Sequence, residues 1–304
     1  MTPRPAQANS ERVILVAGAT GQQGGAVARS LLKRGFSVRG LSRDLSKKPE
    51  GLDRRIQWVQ GSLLDPKSFE SALEGAHGFF VVTTPFTVAW GQPPDIEGEI
   101  RAGTVALETA KRVKTPHVVL STIRGAGQVT GSTGIPHFDS KVKIEQQARS
   151  LGVPLTTIRP SFFMENMFQP WTMQGLRTAG VVSVPIKPTT KVPMVAVRDI
   201  GEIAARAFEH PERRIGSAVD LAGDEKTYPE MVEMLSRHLS VPGRFVEMSD
   251  KDALQNVGED MLRMYRGFDY GGFGLDVAAL EREWEIKMTR FMDLLKETKL
   301  LTPG

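Results

Sequence analysis

Hydrophobic positions in the first half of the chain fall into short continuous runs divided by longer amphipathic stretches. The runs at 12–18 (RVILVAG), 37–43 (SVRGLSR), 56–61 (IQWVQG), 76–84 (AHGFFVVTT), 117–122 (HVVLST) and 154–160 (PLTTIRP) predict six strands. Unbroken Val, Ile, Leu and Phe, rather than alternation, is the pattern of strands covered on both faces. Between them, 25–35 predicts a helix closed by Gly35, 66–75 a helix from Pro66 to Gly75, and 138–151 a third. Over 95–114, Ile96, Ile100, Gly103, Leu107 and Ala110 recur at steps of four and three, one face of a helix. Strands that alternate with helices pair in parallel, and their crossovers cover both faces of the sheet.

After Pro160 the rhythm changes. Aromatic residues and Met crowd 161–173, and 183–194 carries Pro185, Pro188 and Pro193. Residues 197–210 read as a helix starting near Asp199, 217–223 as a returning strand, and 228–239 and 289–299 as helices. This predicts a main domain of 1–160 plus 190–222, and a smaller lobe of 161–189 plus 223–304.

Gly18, Gly21 and Gly24 follow the first strand and open the first helix with the spacing G-x-x-G-x-x-G. Glycines there allow a sharp turn and close approach of a pyrophosphate, whose charge then sits at the positive end of the helix. Position in the chain, more than spacing, makes this a phosphate cradle rather than a plain turn. The expected fold class is α/β: a Rossmann-type doubly wound parallel sheet with a smaller α/β C-terminal lobe. Strand two ends in Ser42-Arg43, where an NAD site normally places an acid for the ribose 2′-hydroxyl. A guanidinium suits a 2′-phosphate, so Arg43 argues for NADP(H), with Ser42 as a further donor and Arg39 or Lys47 adding field. Asp44 would reverse the preference if it faced the ribose instead.

Composition narrows the chemistry. Lys plus Arg number 39 and Asp plus Glu 35, a net charge of +4 over 304 residues. That suits an anionic ligand and is too small and dispersed to argue for nucleic acid. The basic stretch Arg43, Lys47, Lys48, Arg54 and Arg55 is broken by Asp44, Glu50 and Asp53, and most of it reads as a solvated loop near the adenine end of the cofactor, not a nucleic-acid face. The absence of cysteine excludes disulfides, thiolate zinc sites and thiol nucleophiles. The five histidines are scattered, so no metal site is expected, and neither a G-x-S-x-G elbow nor a G-x-x-x-x-G-K-[ST] loop occurs. No run approaches the ~20 apolar residues of a membrane helix, and the N-terminus lacks the apolar core of a signal peptide. A cytoplasmic protein is the expectation.

With VAGATGQQGG, the SR after strand two, HFDSK at 137–141 and IRPSFFMEN at 158–166, the sequence resembles the NmrA-like family, atypical relatives of the short-chain dehydrogenases/reductases. The resemblance implies NADP(H) as cofactor, and either redox-sensing regulation or NADPH-dependent reduction. It would place Gly18, Thr20, Gly21, Gln22, Gln23 and Gly24 along the diphosphate and Arg43 on the 2′-phosphate. Ser62, Leu63 and Leu64 would lie under the adenine, and Thr83, Thr84 and Pro85 beside the ribose and nicotinamide. Lys141 would bond the nicotinamide ribose, and 161–168 would close over the nicotinamide or a substrate.

Typical dehydrogenases of that superfamily use Tyr-x-x-x-Lys, whose lysine charge readies the phenol to pass a proton. Here His137 stands four residues before Lys141, while Tyr228, Tyr265 and Tyr270 all lie in the C-terminal lobe. His137 is a candidate proton donor, but the adjacent lysine charge disfavours its protonated form, so a packing or ribose-side role competes. Lys141 could act as acid or base, as a related lysine does in the isoflavone-reductase-like branch, which the sequence also resembles. The segment SFFMENMFQPW (161–171) either roofs a planar apolar ligand or glues the lobe to the main domain. Two functions follow. In one, bound cofactor orders the loops around 83–94 and 124–136 and so presents a surface to a protein partner or to a second copy in a homodimer. In the other, the chain reduces a small aromatic carbonyl, quinone or enone with NADPH. The replaced tyrosine tilts the expectation toward the regulator.

Overall fold

The computed structural model describes residues 9–47, 53–86, 93–129, 131–269 and 276–298. Lys48, Gly91 and Tyr270, and the 87–92 part of the first loop, lie outside the described residues, as does the Lys47 side chain. Chain order runs β1 (Val13–Ala17), α1 (Gln22–Lys33), β2 (Ser37–Ser42), β3 (Gln57–Gln60), α2 (Glu70–Leu73), β4 (Gly78–Val82), α3 (Ile96–Arg112), β5 (Val118–Ser121), α4 (Pro136–Leu151) and β6 (Leu155–Pro160). There follow β7 (Phe162–Phe163), α5 (Pro170–Ala179), β8 (Val181–Val184), β9 (Lys191–Val195), α6 (Val197–Glu209), α7 (Pro211–Arg214) and β10 (Ala218–Leu221). The chain continues through β11 (Asp224–Thr227), α8 (Tyr228–Leu239), β12 (Arg244–Glu247), α9 (Asp250–Asn256), α10 (Glu259–Asp269), α11 (Val277–Trp284) and α12 (Phe291–Glu297).

Seven strands form the main sheet in the order β3-β2-β1-β4-β5-β6-β10, every pair parallel. The side-chain alternation of a strand divides β1 between two cores. Ile14 and Val16 pack with α1 and α6 through Val27, Leu31, Ile203 and Phe208. Leu15 and Ala17 pack on the other face with Leu107 and Ala110 of α3 and Ile144 and Ala148 of α4. Helices α1 and α6 cross closely enough that a Cβ on Gly201 would lie 2.6 Å from the Ala26 carbonyl oxygen.

The six expected strands are present, and 217–223 supplies the seventh as β10. Three segments differ from expectation. Residues 66–75 split into a 3₁₀ turn, Pro66–Ser68, and the short α2. Helix α6 begins at Val197, two residues before Asp199, because its start is capped from a distance: the Val197 amide donates to Glu165 Oε1 at 2.9 Å. Strand β9, within the 190–222 return, pairs with β7 in parallel and β11 antiparallel in a separate three-stranded sheet. Conversely, Leu280 and Trp284 of α11 pack into the α1/α6 core, where Arg214 lies 3.8 Å over the Trp284 ring. The lobe core is rich in Met (Met164, Met167, Met173, Met194 and Met231), closed by Leu235 and Phe291.

One buried titratable group sits under the main sheet. His117 Nε2 donates to Thr156 Oγ1 (2.8 Å), whose own proton goes to the Arg214 carbonyl (2.7 Å), while Nδ1 has no partner among the described residues. Burial, aided by the Arg12 charge, pushes this imidazole down to about 4. The unfolded chain, with its histidine near ~6.5, therefore binds the proton first, and the stability this group contributes is lost as pH falls below that value. Relative to His117→Gln, the wild type is expected to lose about 2 kcal/mol between about pH 7.5 and about pH 5. Urea unfolding of both proteins across that range measures it; parallel curves would contradict it.

Candidate active site

The cradle is built where β1 runs into α1. Gly18 holds a left-handed φ of +62°, and the Gly21 amide donates to its carbonyl at 2.8 Å, closing the turn. A Cβ on Gly24 would lie 2.3 Å from the Gly18 oxygen and 2.6 Å from that of Ala17, so α1 docks directly on the strand end. Helix α1 has Gly21 at its N-cap, no side-chain cap and no acid in its first turn. Its N-terminal N–H groups and positive dipole end thus face the crevice without a competing anion. Gln23 is held against the sheet by the Ser121 hydroxyl, which donates to its Oε1 at 2.7 Å. Thr20 and Ser42 approach at 3.5 Å across the turn.

At the end of β2, Arg43 is exposed and pairs with no carboxylate among the described residues. Asp44 is turned to the following 3₁₀ turn, Oδ1 accepting from the Ser46 amide (2.9 Å) and hydroxyl (2.6 Å). Arg39 is committed elsewhere, donating to the carbonyls of Ala72 and Glu74, and Arg55 pairs with Asp53. Beyond β3, Ser62 forms a turn by accepting from the Leu64 amide (3.2 Å). Leu63 packs toward the core beneath it, and Leu64 is exposed.

The opposite end contains two charged clusters that sequence reasoning missed. Lys141 Nζ meets Glu99 Oε1 at 2.6 Å and donates to the Thr83 carbonyl and, at 3.0 Å, to its hydroxyl. Thr83 passes its proton on to Glu99 Oε1 at 2.9 Å, and Ser140 donates to Oε2. All three ammonium protons therefore end on buried acceptors. One turn earlier, His137 Nδ1 meets Asp260 Oδ2, and the His137 amide donates to Oδ1 at 3.0 Å. Asp260 comes from α10 in the lobe. Thr84 Oγ1 accepts from the Phe86 amide at 3.2 Å, and the Pro85 carbonyl accepts from Asp95 at 2.8 Å.

A cavity of about 790 Å³ separates the sheet's C-terminal edge from the lobe. Phe86, Phe138, Phe162, Phe163, Trp171 and Phe268 line it, with Asn166, Lys191 and Glu225 as polar points. Gln22 and Thr84 also belong to its wall, so it opens onto the cradle. Segment 161–171 divides between two surroundings: Met164 and Met167 fill the lobe core, whereas Phe162, Phe163, Asn166 and Trp171 face the cavity. Tyr228 and Tyr265 also reach it, joined hydroxyl to hydroxyl at 3.4 Å. Burial pushes both phenols up, so they remain neutral donors at ordinary pH.

The family model for the NmrA-like family matches residues 10–298. The chain belongs to the NmrA-like family. This NmrA-like chain is 28% identical to an NAD(P)H azoreductase of Xenophilus azovorans over 251 residues, 80% of this chain and 79% of the relative. It is 32% identical over 240 residues to a (4-alkanoyl-5-oxo-2,5-dihydrofuran-3-yl)methyl phosphate reductase of Streptomyces griseus, covering 78% and 77%. Among solved structures, the triphenylmethane reductase of a Citrobacter species, complexed with NADP(H), superposes with a TM-score of 0.77 at 19% identity, over 93% of this NmrA-like chain and 99% of that one. Among the described residues no helix is long and apolar enough to cross a membrane.

Proposed function

We propose that the chain is an NADPH-dependent reductase of planar conjugated acceptors: small aromatic carbonyls, quinones or enones. The observation that carries this reading is the aromatic cavity, which shares Gln22 with the phosphate cradle and Thr84 with the loop after β4 and falls within the ~300–1,000 Å³ range of small-molecule sites. It moves the reductase ahead of the cofactor-gated regulator.

The residues suit the dinucleotide. A Cβ at Gly24 would fill the closest backbone approach, and the uncapped start of α1 offers donors to bridging anions. Arg43, with no carboxylate partner among the described residues, would hold the 2′-phosphate, and Thr83, Thr84 and Pro85 would flank the nicotinamide side. When bound, the reduced cofactor supplies a hydride. The protein's own part is to exclude water with Phe162, Phe163 and Trp171, to sandwich a flat acceptor between aromatic faces, and to place donors around its heteroatom. The similarity to an NAD(P)H azoreductase and to a (4-alkanoyl-5-oxo-2,5-dihydrofuran-3-yl)methyl phosphate reductase is consistent with acceptors of this conjugated kind.

Calorimetric titration of NADPH, NADP+, NADH and NAD+ tests the cofactor half. Arg43→Ala is expected to weaken NADPH and NADP+ about 10–100-fold, the worth of a charge-assisted contact of about 1.5–3 kcal/mol, and to leave NADH nearly unchanged. A variant that keeps the NADP(H) preference would remove Arg43 from that role. NADPH oxidation over a panel of quinones, enones and aryl aldehydes tests the other half; an inactive wild type across the panel would return the regulator to first place.

A further inference from the structure

We propose that His137 is the proton donor of this site and that Asp260, reaching across from the lobe, is the residue that positions it. The inference rests on the reductase reading above and adds the proton to it. Three observations carry it. Asp260 spends both carboxylate oxygens on one residue, Oδ2 on the His137 ring and Oδ1 on the His137 amide, which fixes the imidazole in one orientation with Nδ1 as the tethered nitrogen. Nε2 has no hydrogen-bond partner among the described residues, although the ring forms part of the cavity wall, set between Phe86 at 5.4 Å and Phe138 at 4.7 Å. The charge expected to oppose a protonated ring is neutralised: Lys141 is paired with Glu99, a carboxylate whose other oxygen is fixed by Ser140.

A carboxylate on one imidazole nitrogen supports positive charge on the ring and leaves the far nitrogen to exchange protons. The step then balances. A C–H bond would form at the acceptor's carbon from the hydride that bound NADPH supplies, the cofactor being the group oxidised. The acceptor's π pair moves onto its oxygen. The Nε2–H bond breaks as the O–H bond forms, and the ring regains a proton from water. Because Asp260 belongs to α10 of the lobe, the donor is readied only when the lobe is docked.

The test uses His137→Gln, Asp260→Asn and Asp260→Glu in the full chain. Proton spectra without cofactor should show one ring N–H resonance downfield of the amide envelope in the wild type, absent in His137→Gln and lost or moved upfield in Asp260→Asn. With a quinone acceptor, His137→Gln should lower kcat about 100-fold, and Asp260→Asn about 10-fold, with KM and NADPH affinity within about threefold of wild type. Asp260→Glu should recover part of the Asn loss, and it carries the Asp260 arm should the Asn variant not fold. A His137→Gln variant with kcat within about threefold of wild type, or a downfield resonance that survives Asp260→Asn, would overturn the proposal and leave the reductase reading standing. A wild type that reduces no acceptor would remove both.

Discussion

Glu99→Gln is expected to destabilise the protein by about 3–5 kcal/mol, the cost of leaving one partner of a buried ion pair without the other. The Glu99 side chain has no exposed surface and that of Lys141 only 10%, so water cannot replace the lost charge. An amide that kept its oxygen toward Thr83 and the ammonium would turn its NH₂ group onto the Ser140 hydroxyl, which now donates to the other carboxylate oxygen, and would bring no charge to the ammonium. Urea unfolding measures the loss, and the double variant Glu99→Gln with Lys141→Met should regain most of it, because removing both charges removes the uncompensated one. A single variant within about 1 kcal/mol of wild type would show that the pair contributes little. The same argument governs how a Lys141 variant must be interpreted. Lys141→Ala strands Glu99 in the core, so its loss of turnover is evidence for chemistry only where the double variant, with the fold restored, is equally inactive.

Gly24→Ala is expected to weaken NADPH binding at least about 100-fold and to cost about 1–3 kcal/mol of stability, the usual penalty of forcing a methyl into filled space. The obstructing atoms are backbone, the Gly18 carbonyl and the Ala17 oxygen, and backbone can yield only if α1 lifts from β1. Lifting it withdraws the N–H groups on which the bridging phosphates depend. Gly25→Ala is the matched control. Its Cβ would meet the Ala19 oxygen at 3.4 Å, an ordinary contact, and alanine inside a helix gains about 0.5–1 kcal/mol over glycine. Thermal unfolding of the two variants should therefore move in opposite directions, and calorimetry should show NADPH binding lost in Gly24→Ala and kept in Gly25→Ala; equal binding by both would detach the cradle from the docking of α1.

Much of this was legible because the strands are buried on both faces, and such strands announce themselves as unbroken apolar runs. The cradle was legible because its glycines are demanded by backbone geometry, which acts between residues near in sequence. The buried polar pairs were not legible as pairs, since Glu99 and Lys141, or His137 and Asp260, meet only through the fold. A local signal was nonetheless present. Glu99 lies on the buried face of α3 with Gly103, Ala106 and Leu107. Asp260 heads the buried face of α10 with Met264 and Tyr265. Asp199 begins that of α6, where it accepts from the Thr289 amide and hydroxyl. A carboxylate at the head of an apolar helix stripe marks a buried partner even when the partner cannot be named. Strand β9 was not legible for a different reason. Its proline-rich run has strand character without periodicity, and only pairing with β7 and β11 decides where it belongs.

The seventh strand has a further consequence for how the molecule comes into being. β10 pairs along β6 from residues 218–221, about sixty positions beyond the strand it covers. A nascent chain that has emerged only as far as β6 carries six strands and a bare rim of unpaired amides and carbonyls, the kind of template that invites strangers to add on. Synthesis must deliver the whole intervening segment, α6 included, before that rim can be sealed, and closure over so long a separation is slow. Chaperone demand during production, and clumping of fragments cut within 161–217, should both trace to this one late seam.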